Sequence, residues 1–325
     1  MKNSTKNIIL GVSSLTAVAA TFGAVSYMMS NTLLNYALDR KIPTNMKITK
    51  SRLSGIKGFE DAYSQLSELS ETFKKEIFED VEIVSRDGIR LVGHWSECEN
   101  AKRIIIAMHG WRSDWAHDFA AVSDFWHKNG CSVLYAEQRG QNNSGGDYMG
   151  FGLLERFDCL DWIDWVNERT MGFLPVYLGG ISMGAKTVLM AAGLDLPDNV
   201  CGIVADCGFT SPCDIWKHVV EKNLHLPYDF PKLMIEGNCR KKLNMGSGDY
   251  SAVDAMKVCK VPVLFIHGSA DSFVPIEMTY ENYLACVAPK RLLVVPGAEH
   301  AMSYYLDKEG YENSILSFWK EFDKK

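Results

Sequence analysis

Short apolar runs recur along most of the chain, and segments with helical character separate them. Runs without alternating polar positions are typical of strands that are buried on both faces of a sheet. Helices between such strands provide the crossovers that parallel strands require. The pattern therefore predicts an α/β fold with a mostly parallel, doubly wound sheet. The runs lie at residues 103–108, 132–136, 176–179, 202–205, 262–266 and 292–295, and the predicted helices between them include residues 157–166, 185–193 and 276–286.

Two segments depart from this alternation. Residues 81–95 consist of two short runs around Arg86-Asp87-Gly88, which predicts an N-terminal hairpin. Residues from about 209 to 257 combine prolines with many large apolar side chains. Because long insertions of this kind are usually functional, we predict a small helical lid above the carboxyl ends of the strands. A purely structural insertion, packed against one flank of the sheet, is the alternative.

The N-terminal segment, residues 1–38, has a different composition. Charged side chains are absent between Lys6 and Asp39, and the most apolar part is residues 8–29. A helix of this length would be roughly 33 Å long, enough to cross a bilayer. The segment therefore predicts a membrane anchor. A signal peptide cleaved near Ala17-Val18-Ala19 is the alternative, although the apolar stretch continues well past that site.

The rest of the chain divides into two parts. Residues 39–79 are predicted to form a polar linker and an amphipathic helix, because apolar side chains recur at three- and four-residue spacing from Phe59 to Ile77. Residues 80–325 are predicted to form the main domain, which includes the insertion. Basic residues flank both ends of the apolar N-terminal stretch. The sequence therefore does not predict on which side of the membrane this domain lies.

The overall composition excludes several classes of protein. The formal net charge is −6 and the basic residues are scattered, so no nucleic-acid partner is predicted. The nine cysteines are odd in number and form no Cys-x-x-Cys pair. Many of them lie in or beside apolar runs, which predicts buried free thiols rather than disulfides or a zinc site. The sequence implies no metal ion and no organic cofactor.

Ser182 lies at the centre of the motif Gly180-Ile181-Ser182-Met183-Gly184. An apolar run precedes the motif and a predicted helix follows it. In a strand-turn-helix unit of this kind, the sharp turn lifts the serine out of the sheet, and the flanking glycines let the backbone turn without a clash. The motif therefore predicts that Ser182 is a nucleophile. A glycine-rich connection that carries a surface serine is the alternative.

A serine hydroxyl needs an adjacent base to act as a nucleophile. Of the eight histidines, His300 lies in a loop just after the last apolar run. Asp271 follows the run at 262–266, and the carboxyl ends of parallel strands meet at one edge of a sheet. We therefore predict that His300 is the base and that Asp271 orients it and stabilises its charged form. Asp206, which ends the run at 202–205, is the alternative acid.

The oxyanion of an acyl-transfer intermediate needs two hydrogen-bond donors. The Met183 N–H, in the first turn of the helix after Ser182, is one candidate. The Trp111 N–H, in the loop after residues 103–108, is the other. The alternative for that loop is a plain turn at the end of a strand. His109 and His267, which also end strands, are predicted to be structural.

Taken together, these motifs resemble the α/β-hydrolase superfamily over roughly residues 80–322. The order Ser182, Asp271, His300 is the order of nucleophile, acid and base in that superfamily. The resemblance implies an α/β-hydrolase sheet with an N-terminal hairpin strand and a helical lid insertion. It rests on His109-Gly110-Trp111, Gly180-x-Ser182-x-Gly184, His267-Gly268-x-x-Asp271-x-x-Val274-Pro275 and Gly297-x-x-His300.

Two further motifs narrow the resemblance. Ala205-Asp206-Cys207 and His300-Ala301-Met302-Ser303-Tyr304, together with the apolar N-terminus, resemble uncharacterised membrane-anchored bacterial hydrolases near the prolyl-oligopeptidase-like serine peptidases. The resemblance implies a location at a bacterial cell membrane. Residues 137–144 depart from the Asp-x-Arg-Gly-x-Gly-x-Ser stretch of many members, with Glu137 for Asp and Asn142 for the second Gly. That loop is usually structural in the superfamily.

The sequence thus predicts a serine hydrolase that cleaves a carboxylic ester through an acyl-enzyme. Its expected partners are a small-molecule acyl ester or a short peptide, and a membrane through the N-terminal segment. A serine peptidase or amidase with the same residues is one alternative. A non-catalytic binding protein on the same fold is another, since a fold alone does not determine function.

Overall fold

Eight strands form a mostly parallel sheet in the order β1-β2-β4-β3-β5-β6-β7-β8. The structure is a computed structural model that describes residues 27, 28, 30–41, 59–76, 78–223, 225, 227–229 and 232–323. β2 runs antiparallel to both of its neighbours, and the other neighbouring pairs are parallel, which confirms the predicted sheet and its N-terminal hairpin. The strands are β1 (Glu79–Val84), β2 (Arg90–Ser96), β3 (Arg103–Met108), β4 (Cys131–Ala136), β5 (Val176–Ile181), β6 (Val200–Asp206), β7 (Val263–Gly268) and β8 (Lys290–Val295).

Helices cover both faces of the sheet, which explains the unbroken apolar runs. In β3, Ile104 and Ile106 belong to the core on one face, and Ile105 and Ala107 belong to the core on the other. Because successive side chains of a strand point to opposite faces, a strand covered on both sides must be apolar at every position. The helices are α1 (residues 30–38), α2 (Phe59–Phe73), α3 (Trp115–Lys128), α4 (Glu155–Thr170), α5 (Met183–Ala191), α6 (Pro212–His218), α7 (Lys232–Leu243), α8 (Ala252–Met256), α9 (Ile276–Ala285), α10 (Ser303–Leu306) and α11 (Lys308–Phe322).

The insertion after β6 contains three helices and a short π-helical turn, Val219–Asn223. Its first part, α6 and the π-helical turn, contributes buried side chains to the core beside the carboxyl edge of the sheet. Its last helix, α8, packs against α5 and α9 in the body of the domain. The insertion therefore combines a covering part with a part that belongs to the helical layer.

Residues 30–41 lie on the main domain. Leu34 and Leu38 of α1 are buried in its core. After α1, the backbone pairs with the loop after β4, because the Met149 N–H donates to the Leu38 carbonyl at 2.7 Å and the Arg40 N–H donates to Asp147 at 2.9 Å. No helix in the described part of the chain is both long enough and apolar enough to span a bilayer. Most of the predicted anchor, residues 8–29, lies outside the described residues.

The topology brings five loops to one edge of the sheet. β3 lies between β4 and β5, so the chain leaves β3 toward one side and returns on the other. Such a reversal of strand order opens a crevice at the carboxyl ends of the strands, where α/β proteins bind ligands. The loops that follow β3, β5, β6, β7 and β8 carry the residues Trp111, Ser182, Cys207, Asp271 and His300.

Candidate active site

The turn at Ser182 is so tightly packed that only glycine fits on either side of it. Ser182 joins β5 to α5 with a φ of 55°, in the left-handed region that non-glycine residues seldom adopt. A Cβ atom at Gly184 would lie 1.8 Å from the Met108 carbonyl oxygen, and one at Gly180 would lie 2.4 Å from the backbone of Gly184. The Gly-x-Ser-x-Gly pattern therefore follows from backbone contact, and the resulting turn holds the serine at the edge of the sheet.

Ser182, His300 and Asp271 form a continuous hydrogen-bonded chain. The Ser182 hydroxyl lies 2.9 Å from Nε2 of His300. On the other side of the ring, Nδ1 of His300 lies 2.7 Å from Oδ2 of Asp271. Because an ionised carboxylate can only accept, Nδ1 carries a proton, and in the neutral imidazole Nε2 is then the atom that can accept the proton of the hydroxyl. This series of three hydrogen-bonded side chains has the geometry needed to activate a serine hydroxyl.

Asp271 is anchored by backbone donors and is shielded from solvent. Its Oδ1 accepts hydrogen bonds from the N–H groups of Phe273 at 2.9 Å and Val274 at 2.8 Å. These bonds leave Oδ2 directed at His300, and the side chain of Asp271 has no exposed surface. Because the carboxylate is fixed by its own loop, it can hold the imidazole in one orientation.

The electrostatics of the pair favour a charged imidazole. Burial alone would raise the pKa of Asp271, but the neighbouring His300 and His267 outweigh it and hold that pKa well below its usual range. Burial alone would lower the pKa of His300, but the charge of Asp271 outweighs it and raises that pKa well above its ordinary value. Asp271 is therefore ionised, and its charge favours the protonated form of His300.

His267 supports Asp271, a role that the sequence analysis missed. The Nε2 atom of His267 lies 2.9 Å from the Val274 carbonyl, which can only accept, so Nε2 carries a proton. The same atom lies 3.2 Å from Oδ2 of Asp271. Nδ1 lies 2.7 Å from the Thr279 hydroxyl, which fixes the ring. The four-residue spacing from His267 to Asp271 across a tight turn is the signal that would have suggested this contact.

Asp206, the alternative acid, has different partners. Its side chain accepts a hydrogen bond from the Ser303 hydroxyl at 3.2 Å, and its backbone carbonyl accepts the Ser182 N–H at 2.9 Å. Burial raises the pKa of Asp206 to about 6. Asp271 rather than Asp206 is thus the carboxylate that is hydrogen-bonded to His300. Asp206 instead contacts the turn at Ser182 through its backbone carbonyl.

Two segments next to Ser182 carry the backbone N–H groups that the sequence predicts as oxyanion donors. The Met183 N–H belongs to the first turn of α5, where donors have no intrahelical acceptor. The Trp111 N–H follows Gly110, at which a Cβ atom would lie only 3.5 Å from that of Ser182. Asp118 fixes this loop, because its Oδ2 accepts the Gly110 N–H at 2.6 Å. The structure thus places Met183 directly after Ser182 and the residue before Trp111 against Ser182.

An open apolar cavity of about 960 Å³, counted with its mouth, begins at Ser182. Ser182 is part of its lining, and none of the described lining residues is charged. The insertion supplies part of the wall, although Leu233 of α7 is 84% exposed and is not part of the lining. The lining residues are Leu33, Leu34, Tyr36, Ala37, Trp111, Phe151, Ser182, Phe209, Ile215, Trp216, Val219, Val220, Ile235 and Phe273.

A buried thiol lies beside the imidazole. Possible ligand atoms of Cys207, Asp271 and His300 lie within 4.8 Å of one another, a spacing that a metal ion could bridge. Metal binding requires a thiolate, but burial raises the pKa of Cys207 to about 11. Asp271 and His300 are also already hydrogen-bonded to each other. The donor set therefore fits a resident metal ion poorly.

Comparison with known proteins identifies the fold. A family profile described as alpha/beta hydrolase fold matches residues 104–255. The esterase Pf2001 of Pyrococcus furiosus superposes with a TM-score of 0.63 over 79% of this chain and 94% of the esterase, at 23% sequence identity. An acylaminoacyl peptidase of Pyrococcus horikoshii superposes with a TM-score of 0.58 over 78% of this chain and 43% of the peptidase, at 19% identity. The chain has the α/β-hydrolase fold, as its motifs predicted.

A relative from a bacterium is similar over part of its length. The protein YqkD of Bacillus subtilis (strain 168), itself described as uncharacterized, is 29% identical to this chain over 191 residues. The match covers 58% of this chain and 62% of YqkD, less than two thirds of the relative. The two proteins are thus similar in sequence, but this similarity assigns no activity to either of them.

Proposed function

We propose that this protein is a serine hydrolase that cleaves carboxylic esters by acyl transfer to Ser182. The observation that carries the proposal is the hydrogen-bonded chain from Ser182 through His300 to Asp271, with bonds of 2.9 and 2.7 Å, at the start of an apolar cavity. The esterase Pf2001 has the same fold, which supports the proposal.

In the first half of the reaction, Nε2 of His300 takes the proton of the Ser182 hydroxyl as Oγ bonds to the carbonyl carbon of the ester. The carbonyl oxygen becomes an oxyanion, which accepts hydrogen bonds from the N–H groups of Met183 and Trp111. Collapse of this intermediate breaks the bond to the alcohol oxygen, and His300 returns the proton to the departing alcohol. The acyl group stays on Ser182.

In the second half, a water molecule replaces the alcohol. His300 takes a proton from the water as its oxygen bonds to the acyl carbon, and the same two N–H groups stabilise the new oxyanion. Cleavage of the bond to Oγ releases the carboxylic acid, and the proton returns to Ser182. Asp271 keeps its charge throughout and stabilises the imidazolium in both halves.

The cavity favours an ester with an apolar acyl group over a peptide. A peptide presents amide groups and often a charged terminus, which need hydrogen-bonding or charged partners when they are buried. The described lining residues are almost all aliphatic or aromatic and include no charged side chain. An apolar acyl chain gains free energy from burial against such a wall. The fold shared with an acylaminoacyl peptidase is the reason to test amides alongside esters.

The test combines covalent labelling with a panel of substrates. We expect a fluorophosphonate to label the purified protein at Ser182, as identified by mass spectrometry, and p-nitrophenyl acyl esters to be hydrolysed at least about tenfold faster in kcat/KM than the matched aminoacyl anilides. Faster hydrolysis of the anilides would contradict the proposed esterase function and favour the alternative, a serine peptidase. Failure of both labelling and hydrolysis would leave a binding protein on this fold.

We also propose that residues 8–29 anchor the chain in a membrane. The proposal is supported by the length of this uncharged stretch in the sequence. We expect the full-length protein to stay in the membrane pellet after extraction with alkaline carbonate. A double variant, Val18→Arg with Val25→Arg, should appear in the supernatant, because each central arginine costs roughly 2.5–3.5 kcal/mol of insertion free energy. Extraction of the unmodified protein, or an intact mass that lacks these residues, would contradict the anchor.

A further inference from the structure

The helix α1 forms one wall of the cavity at Ser182. Four of its residues, within the range 33–37, line the cavity together with Ser182 itself. Leu34 is buried, and Leu33 and Ala37 are partly buried against the same core. These residues precede the main domain by more than forty positions in the sequence, and none of the motifs of the predicted active site includes them. The contact is therefore a product of tertiary packing.

The carboxyl end of α1 is held by the loop that carries a proposed oxyanion donor. The indole N–H of Trp111 donates to the Ala37 carbonyl at 2.8 Å. The guanidinium of Arg112 donates to the carbonyls of Tyr36 and Asp39, each at 2.7 Å. The last carbonyls of a helix have no intrahelical donor. The side chains of Trp111 and Arg112 therefore provide hydrogen-bond donors for carbonyl groups at the end of α1. The helix end and the loop thus form one hydrogen-bonded unit.

Further contacts fix this unit from both sides. The rings of Tyr36 and Trp111 pack edge to face with centroids 5.5 Å apart. The backbone N–H of Arg112 donates to Gln141 at 2.6 Å, which ties the loop to the segment after β4. Asp39 forms an ion pair with Lys242 of α7, which ties the end of α1 to the insertion. The wall is therefore a built part of the site rather than a loose cover.

We propose that α1 is the acyl-binding wall of the enzyme and that Leu33 sets the length of the apolar acyl chain that the site accepts. This inference rests on the proposed esterase function. Leu33 and Ala37 are four residues apart, so they lie on the same face of α1 about 6 Å apart along its axis. Ala37 is at the end held by Trp111, whose neighbour Gly110 lies against Ser182. Leu33 lies one turn of α1 away from the end that Trp111 holds, and we assign the distal part of the acyl chain to this part of the cavity.

The experiment changes the volume at Leu33 in the full chain. Leu33→Trp should fill the distal cavity and lower the ratio of kcat/KM for a dodecanoyl ester to kcat/KM for a butanoyl ester by about tenfold or more. Leu33→Ala should open the cavity and shift the preference toward longer chains. Thr32→Trp, which places the same side chain at an exposed neighbouring position, is the matched control and should keep the unmodified profile.

The outcomes separate the inference from the function on which it rests. If the unmodified protein neither hydrolyses esters nor reacts with fluorophosphonates, the proposed function fails and the inference falls with it. If the unmodified protein is active but both Leu33 variants keep its chain-length profile, the inference is overturned and the function stands. A change in profile in Thr32→Trp equal to that in Leu33→Trp would overturn it too, because the effect would then not depend on the cavity. Melting temperatures confirm that each variant is folded, and Leu33→Ala provides the test if Leu33→Trp does not fold.

Discussion

Replacement of Ser182 by alanine should lower kcat for ester hydrolysis by about 10⁴-fold or more, because no other group can form the acyl-enzyme. Alanine carries the same Cβ atom as serine, so the backbone at φ 55° meets no new contact. The Ser182 side chain also makes no capping hydrogen bond to α5, so its loss leaves the helix intact. We therefore expect a folded protein that binds esters without turning them over. The measurement is kcat with a p-nitrophenyl ester, together with the melting temperature.

A serine at the rim of the site provides the matched control. Ser272 is exposed, and its hydroxyl donates to Glu299 at 3.1 Å rather than to His300 or Asp271. Ser272→Ala should keep kcat within about threefold of the unmodified protein, as expected for a surface substitution. If purified Ser182→Ala kept more than about a tenth of the unmodified turnover, Ser182 would not be the nucleophile and the proposed mechanism would fall.

Replacement of Asp271 by asparagine should lower kcat by roughly 10⁴-fold, because the amide cannot hold His300 in the required tautomer or stabilise its charge. The pH profile should change with it. His300 must be neutral to act as a base, and Asp271 raises its pKa well above the ordinary value of 6.5. The activity of the unmodified protein should therefore rise with pH through a midpoint above 6.5. In Asp271→Asn the residual activity should rise at lower pH, because the charge that raises the pKa of His300 is gone.

Asp206 is the matched control for this carboxylate. It is also buried at the carboxyl end of a strand, but it is hydrogen-bonded to Ser303 rather than to His300. Asp206→Asn should therefore lower kcat far less than Asp271→Asn and should leave the acid side of the pH profile near its original position. The reverse order of effects, measured in kcat against pH, would move the catalytic carboxylate to Asp206.

The residues of the site differ in how directly their sequence context revealed them. Gly180 and Gly184 were recognisable, because a tight turn between a strand and a helix leaves no room for a Cβ atom at either position. Ser182 was recognisable with them. His300 and Asp271 followed from one topological rule, since loops after parallel strands meet at a common edge. Asp271 was the predicted acid and Asp206 the alternative, because both follow strands at that edge, and the hydrogen bond to His300 is made by Asp271.

The sheet, the turn at Ser182 and the edge at which the candidate residues meet are all predictable from the amino-acid sequence. Those features depend on short-range sterics and on the alternation of buried strands and helices, which leave a record in neighbouring residues. The tertiary structure was needed to show that His267 supports Asp271 and that α1 lines the cavity with Leu33 and Ala37. The four-residue spacing of His267 and Asp271 suggests the first contact, whereas α1 is far in the sequence from the other residues that line the cavity, and its own residues do not indicate them. Both contacts form because close packing and the need to satisfy buried polar groups select partners across the domain.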